Sequence, residues 1–155
     1  MPGRALLSVV MLLVSAAGPV ATQGAQRSPE ARQAILDFKL TMPRAEQLIA
    51  AIGEMTKYVV SLPDYQERMR KSATMTPAEQ AAQMEKDPKS GAILKAHGLT
   101  GRDYLVGVPA LRMALLAAEG MATPNIIASD GNVAFAKANL AQLKAKMETV
   151  DGARR

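Results

Sequence analysis

The stretch TGRDYLVGVPALRMALLAAEG, residues 100–120, decides the fold class of this sequence. Thr100 followed three residues later by Asp103 is a capping-box pattern, which predicts that a helix begins directly after Thr100. Gly120 is suited to end that helix, because glycine readily takes the left-handed backbone conformation found at helix C-termini. The interior of the stretch is apolar apart from Arg112. We therefore expect a core helix that is buried on most sides and is too short to span a membrane.

Two further helices are predicted upstream of this stretch. Ser28, with Pro29 and Glu30 in the first turn, indicates the start of the first helix. An apolar stripe with helical spacing leads to Pro43, where we expect the helix to end because proline lacks a backbone N–H. The stripe consists of Ala31, Ile35, Phe38 and Met42. The second helix is predicted over residues 43–61, and its apolar face consists of Ala45, Leu48, Ile52, Met55, Val59 and Leu62.

The middle of the chain, residues 64–90, is its least apolar part, and we expect this segment to be mobile. Short helices are predicted over residues 64–71, 77–86 and 87–98, the second of them after a capping box of Thr76 and Glu79. Near the C-terminus, Ser129 is expected to cap one last helix. The packing seam of that helix consists of Val133, Ala136, Leu140, Leu143, Met147 and Val150.

These signals predict an all-α fold, a small helical bundle of about four main helices with short connecting helices. Good helix formers fill most of the chain, and the alternation of apolar and polar residues that is typical of strands is missing. The length of 155 residues suits one domain. We expect that domain over residues 28–150, followed by a flexible tail over residues 151–155.

The N-terminus has the pattern of a secretory signal peptide, which we place at residues 1–24. Arg4 provides the positive charge, residues 5–14 are apolar, and small residues follow. Cleavage is expected after Ala17 or after Gly24. We therefore predict a periplasmic or secreted protein with no integral membrane segment after cleavage. Because the chain has no cysteine, it has no disulfide, and packing alone must stabilise it.

The positive charge of the chain does not predict binding to nucleic acid. The formal charge is +5, but four arginines and one aspartate at the two ends account for much of it, and residues 28–150 carry +2. Arg68, Arg70 and Lys71 form the one tight basic cluster, without the interleaved aromatic residues that stack on bases. We expect this cluster to be a solvated helix face.

No pattern in the sequence points to catalysis or to a bound cofactor. His97 is the single histidine, and no serine lies in a Gly-x-Ser-x-Gly elbow. The acidic residues are spread singly, and none interrupts an apolar run where its pKa would be raised. His97 directly precedes Gly98, so its expected role is at a helix C-terminus, where the helix dipole favours histidine.

Two groups of residues are candidate binding sites. Met69, Met75 and Met84 lie in the polar middle of the chain, before His97. Arg102, Asp103 and Tyr104 stand at the start of the apolar helix, where free N–H groups can hold an anion or carboxylate. We interpret the protein as a non-catalytic periplasmic binding protein for an unidentified protein or a small apolar ligand, because flexible methionine surfaces adapt to varied partners. The alternative is a copper or haem carrier using His97 and methionine.

Three segments resemble a group of exported, alanine-rich helical proteins of bacteria with no assigned function. They are LTMPRAEQLIAAI at 40–52, GLTGRDYLVGVPAL at 98–111 and NVAFAKANLAQL at 132–143. This resemblance implies a helical fold and says nothing about chemistry. In addition, MTPAEQ at 75–80 resembles the Leu-Thr-x-x-Gln signature of Spy-type periplasmic chaperones. It departs from the signature because Met75 replaces leucine and Glu79 stands at the glutamine position.

Overall fold

The computed structural model describes residues 28–121 and 123–152, and these residues form eight helices and no strand. The predicted all-α class is therefore confirmed. The predicted signal peptide, residues 1–24, lies outside the described residues. The helices are α1 (Pro29–Asp37), α2 (Met42–Val60), α3 (Tyr65–Ala73), α4 (Pro77–Lys86), α5 (Pro88–Ala96), α6 (Gly101–Ala118), α7 (Asp130–Ala138) and α8 (Leu140–Gly152).

Local capping signals explain where most of these helices begin and end. Side-chain oxygens accept hydrogen bonds from free N–H groups of the first turn, and a proline occupies the first turn of α1, α2, α4 and α5. Gly98 and Gly120 follow α5 and α6 with φ values of 64° and 86°, which glycine adopts without strain. The capping side chains are those of Ser28, Thr41, Thr76, Asp87, Thr100 and Ser129.

The prediction that the first helix continues to Pro43 is wrong. Helix α1 ends at Asp37, and Phe38 already has an extended backbone. Thr41 caps α2, so Pro43 lies in the first turn of the second helix and does not end the first. The connector between the two helices is stabilised by a residue far away in the sequence, because its backbone groups form hydrogen bonds with the side chain of Asn132.

The single C-terminal helix that we predicted is instead two helices. The break is at Asn139, whose side-chain amide donates to the carbonyl oxygen of Phe135 at 2.8 Å. Such local bonds compete with the helical backbone pattern, which explains why an apolar seam of continuous spacing still breaks here. As a result α7 packs against α6, whereas α8 packs against α2. Helix α8 runs through Gly152, two residues into the expected tail.

The core lies between α2 and α6, around which the other helices pack. Helix α2 contacts α5, α6 and α8, and α6 contacts α1, α4 and α7. A smaller apolar cluster of Ile35, Ala110 and Ile127 joins α1 and α6 to the segment before α7. The largest fully buried side chains are Leu48, Ile52, Leu94, Leu111 and Leu143. Burial of these side chains supplies the main favourable term in folding.

Two glycines allow α6 to approach its neighbours closely. A Cβ atom at Gly107 would lie 2.7 Å from Cζ of Phe38 and 2.9 Å from Cδ1 of Leu48. At Gly101 a Cβ atom would lie 2.5 Å from the backbone oxygen of Ala81 in α4. All three distances are shorter than a van der Waals contact. A Cβ atom at Gly107 would displace the ends of two side chains, whereas at Gly101 it would meet the backbone of α4, so the close approach there requires glycine.

Helix α6 is less enclosed than its apolar sequence predicted. Five of its residues are buried, and most of the others are partly exposed. No helix in the described part of the chain has the length and apolar character needed to cross a membrane.

Helix α3 differs from the other helices in its position. It contains no buried residue. Two polar interactions connect it to α4 and α5. The Nε2 amide of Gln80 donates to the carbonyl oxygen of Ser72 at 2.7 Å, and Nη1 of Arg68 lies 3.5 Å from a carboxylate oxygen of Asp87. Helix α3 is thus held at the edge of the bundle by polar contacts, with little packing.

Candidate functional site

The start of α6 has the capping box that the sequence predicted. Asp103 accepts hydrogen bonds at one carboxylate oxygen from the N–H of Thr100 at 3.0 Å and from its hydroxyl at 2.8 Å. The Thr100 hydroxyl in turn accepts from the N–H of Asp103 at 3.0 Å. The other oxygen of Asp103 accepts from Nη2 of Arg44 at 2.7 Å. This ion pair between α2 and α6 was not predicted, because nothing local connects two residues so far apart in sequence.

The surroundings of Asp103 stabilise its charged form. Partial burial alone would raise the pKa of this carboxyl group, but the hydrogen bonds from Thr100 and the positive charge of Arg44 outweigh it. The pKa of Asp103 is therefore held below its ordinary value of 3.8. Asp103 is an ionised structural group at neutral pH.

The predicted anion site at the start of α6 is occupied by carboxylates of the chain itself. Besides the cap formed by Asp103, the N–H of Gly101 donates to Oε1 of Glu85 at 2.7 Å. Arg102 is exposed, and Tyr104 packs its ring against the core. The three residues that we predicted as one binding group thus have three separate roles.

Two grooves flank this end of α6. The smaller, of about 240 Å³, lies between α1 and α6 and includes Asp37, Phe38 and Arg102. The guanidinium group of Arg44 lies 5.8 Å from the centre of the Phe38 ring, a cation–π distance. The larger groove, of about 510 Å³, is formed by α4, α5 and the residues before α6. Both are open to solvent, whereas small-molecule sites usually enclose most of their ligand.

His97 has a structural environment. It is the C-cap residue of α5, as the sequence predicted. Its Nε2 atom lies 2.9 Å from Oε1 of Glu54, so it bridges α5 to α2. Among the described residues, no group of three or more histidine, cysteine, aspartate and glutamate side chains is placed to hold a metal ion. Because Nε2 is bonded to Glu54, a metal or haem would have to use the other ring nitrogen of His97, Nδ1.

The three candidate methionines lie in three different environments. Met84 packs against the core from α4. Met75 is half-buried in the turn between α3 and α4, where its carbonyl oxygen accepts from Gln80 at 3.3 Å. Met69, in α3, is 40% exposed. Of the three, only Met69 is exposed.

Asp87 forms a second polar centre, of which the sequence predicted only the helix cap. One carboxylate oxygen caps α5 by accepting from the N–H groups of Lys89 and Ser90. The other accepts from the hydroxyl of Tyr58 at 2.9 Å and faces Arg68 of α3. Partial burial acts to raise the pKa of Asp87, but these hydrogen bonds outweigh it and lower the pKa. Burial and the nearby Asp87 carboxylate raise the pKa of Tyr58.

The described carboxyl groups with a shifted pKa do not resemble general acids. Each described carboxyl group whose pKa departs from its ordinary value has a lowered pKa, whereas a general acid at neutral pH needs a raised one. Hydrogen bonds or cationic neighbours cause each reduction. These groups are Glu30, Glu67, Glu79, Asp87 and Asp103.

Two exposed large apolar side chains lie in α3 or shortly before it in the sequence. Val60, the last residue of α2, is 59% exposed, and Met69 follows in α3. Gln66 and Arg70 are exposed in the same helix. Gln66, Met69 and Arg70 share one face of α3 at spacings of three and four, and we refer to these three residues as the α3 surface.

Comparisons of this chain with protein-family models, with curated proteins and with solved structures found no match. The resemblances to alanine-rich exported proteins and to Spy-type chaperones therefore stay predictions.

Proposed function

We propose that this protein is an exported, non-catalytic helical protein that binds another protein through the α3 surface. The observation that carries the proposal is that α3 has no buried residue while Met69 is exposed on it. Export is supported by the signal-peptide pattern of residues 1–24.

The stability of α3 provides the physical argument. The helix has nine residues, and isolated helices shorter than about 12–15 residues are marginal in water. Most helices in proteins gain their stability by packing an apolar face, which α3 does only slightly in this chain. A partner that covers the α3 surface would supply the missing packing. Methionine suits such a contact, because its flexible thioether adapts to differently shaped surfaces.

The charges of α3 indicate the chemistry of the partner. Ion pairs between Lys71 and Glu67 and between Arg68 and Asp64 compensate four charges in and next to the helix. Arg70 forms no ion pair with any described residue. We therefore expect a protein partner with an apolar surface opposite Met69 and a carboxylate opposite Arg70.

The other predictions from the sequence gain less support from the geometry. A small apolar ligand would need an enclosed pocket, and the two grooves beside α6 are open. A copper or haem carrier would need His97 and methionine side chains to converge, and Met69, Met75 and Met84 lie in three different environments. A protein partner at α3 needs neither feature.

The proposal is tested by cross-linking tagged full-length chain in intact cells of its own host and purifying the products. Met69→Asp and Arg70→Glu are compared with the wild type. Ala141→Asp in α8 and Arg32→Glu in α1 are matched controls, because both replace exposed residues in other helices. We expect one partner whose recovery falls at least about tenfold in the α3 variants, the loss typical of a central interface residue. Equal recovery with all five chains would overturn the proposal.

A further inference from the structure

Methionine is the only readily oxidised sulfur side chain in this protein, since the sequence contains ten methionines and no cysteine. The described residues include eight of the ten, and their exposure differs widely. Met69 and Met121 are 40% and 36% exposed, whereas Met55 is 5% exposed in the core. The remaining five are half-buried: Met42, Met75, Met84, Met113 and Met147.

We propose that Met69 and Met121 are modification sites at which the folded protein takes up oxygen from peroxides or hypohalous acids. The thioether sulfur donates an electron pair to one oxygen of hydrogen peroxide, the O–O bond breaks, and hydroxide leaves. The hydroxide then takes the proton from the oxygen bound to sulfur, which gives the sulfoxide and one water. Sulfur is oxidised by two electrons and peroxide is reduced by two. This inference concerns the chain with no partner bound at α3.

The two sites differ from the core methionines in what oxidation would do to the fold. At Met69 the sulfoxide oxygen stays in water, because α3 has no buried residue. At Met121 the backbone N–H donates to the carbonyl oxygen of Leu116 at 3.0 Å, a bond that oxidation of the exposed side chain leaves intact. The folded state therefore tolerates both sulfoxides.

Oxidation of the interior methionines would disturb packing. The sulfur of Met113 accepts a hydrogen bond from the N–H of Ile127 at 3.2 Å, in the small cluster between α1 and α6. Met55 lies within the main core cluster. A polar sulfoxide at Met55 would be buried in an apolar environment, which is unfavourable unless it finds a hydrogen-bond donor, and a sulfoxide at Met113 would disturb the contact of its sulfur with Ile127. Access of the oxidant to Met55 also requires local opening, and partial burial restricts access to Met113, so reaction is slower at both.

The order of oxidation tests this inference. Full-length protein is treated with limiting hydrogen peroxide, and each methionine peptide is followed by mass spectrometry. We expect Met69 and Met121 to gain one oxygen atom each before Met55 or Met113 reacts, with the helical circular-dichroism signal unchanged at that stage. Reaction of Met55 or Met113 at the same rate as the two exposed residues would overturn the inference, and so would loss of the helical signal after two oxygens.

A variant with Met69→Leu and Met121→Leu is the control, because leucine keeps the apolar character and the helix propensity. Among the described residues, its early uptake should lack the two oxygens that the wild type gains at Met69 and Met121, since oxidation follows exposure. Uptake at the wild-type rate would contradict the assignment of the sites. In concentrated urea, where burial is lost, all eight methionines should react at similar rates. Persistent protection of Met55 in urea would show that burial is not the cause.

Discussion

The side-chain oxygen of Asn132 accepts a hydrogen bond from the backbone N–H of Leu40 at 3.0 Å, although the two residues are 92 positions apart in the sequence. Its Nδ2 group donates to the carbonyl oxygen of Phe38 at 2.7 Å. Asn132 is buried, with 4% of its surface exposed. One amide thus satisfies both a donor and an acceptor of the connector between α1 and α2, and it joins that connector to the first turn of α7.

Asn132→Ala should destabilise the protein by about 2–4 kcal/mol, because it leaves a buried N–H and a carbonyl oxygen without their partner. Urea unfolding followed by circular dichroism measures this change. Asn125→Ala, at an exposed loop position, is the control and should stay within about 0.5 kcal/mol of the wild type. Equal stability of the two variants would show that the connector does not depend on Asn132.

The contact between α4 and α6 predicts a difference between two glycines in the first turns of helices. Gly101→Ala should cost about 1–3 kcal/mol, since its Cβ would lie 2.5 Å from the backbone oxygen of Ala81. Gly131→Ala in α7 meets no atom within 4 Å, so this control should be neutral or stabilise by up to about 1 kcal/mol. Thermal unfolding compares them. If Gly101→Ala is also neutral or stabilising, α4 and α6 are not as close as described.

These contacts show what the sequence can and cannot predict. The capping boxes of Thr76 and Thr100 involve residues three positions apart, so the local sequence identifies them. The same holds for Gly98, whose left-handed conformation follows from its place after an apolar helix. The distant partners of Asn132 lie in the connector between α1 and α2, and those of Asp87 lie on α2 and α3. A single sequence holds no signal for such pairs.

Apolar spacing has a similar limit. A stripe of three-and-four spacing predicts helical residues, but it does not show whether one helix or two consecutive helices carry it. The break at Asn139 is caused by a polar side chain within a continuous seam. Of the candidate binding residues, Met69 is exposed and Met84 is packed, although both looked alike in the sequence.

The lowered pKa of Asp103 predicts how stability depends on pH. Because the folded pKa lies below the ordinary value of 3.8, the ionised carboxylate stabilises the fold above about pH 4, and this stabilisation is lost as the pH falls through the folded pKa. Asp103→Asn should be less stable than the wild type at neutral pH and should show a flatter decline in acid. Arg44→Gln, which keeps the capping box, should lie between them. Urea unfolding at successive pH values measures the slopes. Parallel curves for the wild type and Asp103→Asn would contradict the role of this carboxylate.

The weak packing of α3 predicts early local opening. Amide hydrogens in α3 should exchange with deuterium much faster than those of α2 and α6, because few buried contacts oppose opening of α3. Exchange of the full chain at neutral pH, followed by mass spectrometry of peptides, measures this difference. The matched comparison is α5, which also has nine residues but buries Ser90, Ile93 and Leu94. Equal protection of α3 and α5 would mean that α3 is stabilised within this chain and has no need of a partner.

The most direct test of the proposed function is photo-cross-linking in intact host cells. A photoreactive amino acid replaces Gln66 in the α3 surface or, as the control, Gln142 in α8, both of which are exposed. We predict a discrete adduct with a different protein from position 66 and none from position 142. Adducts of equal yield from both positions, an adduct from position 142 alone, no adduct from position 66, or a product containing only two copies of this chain would contradict a protein partner at α3.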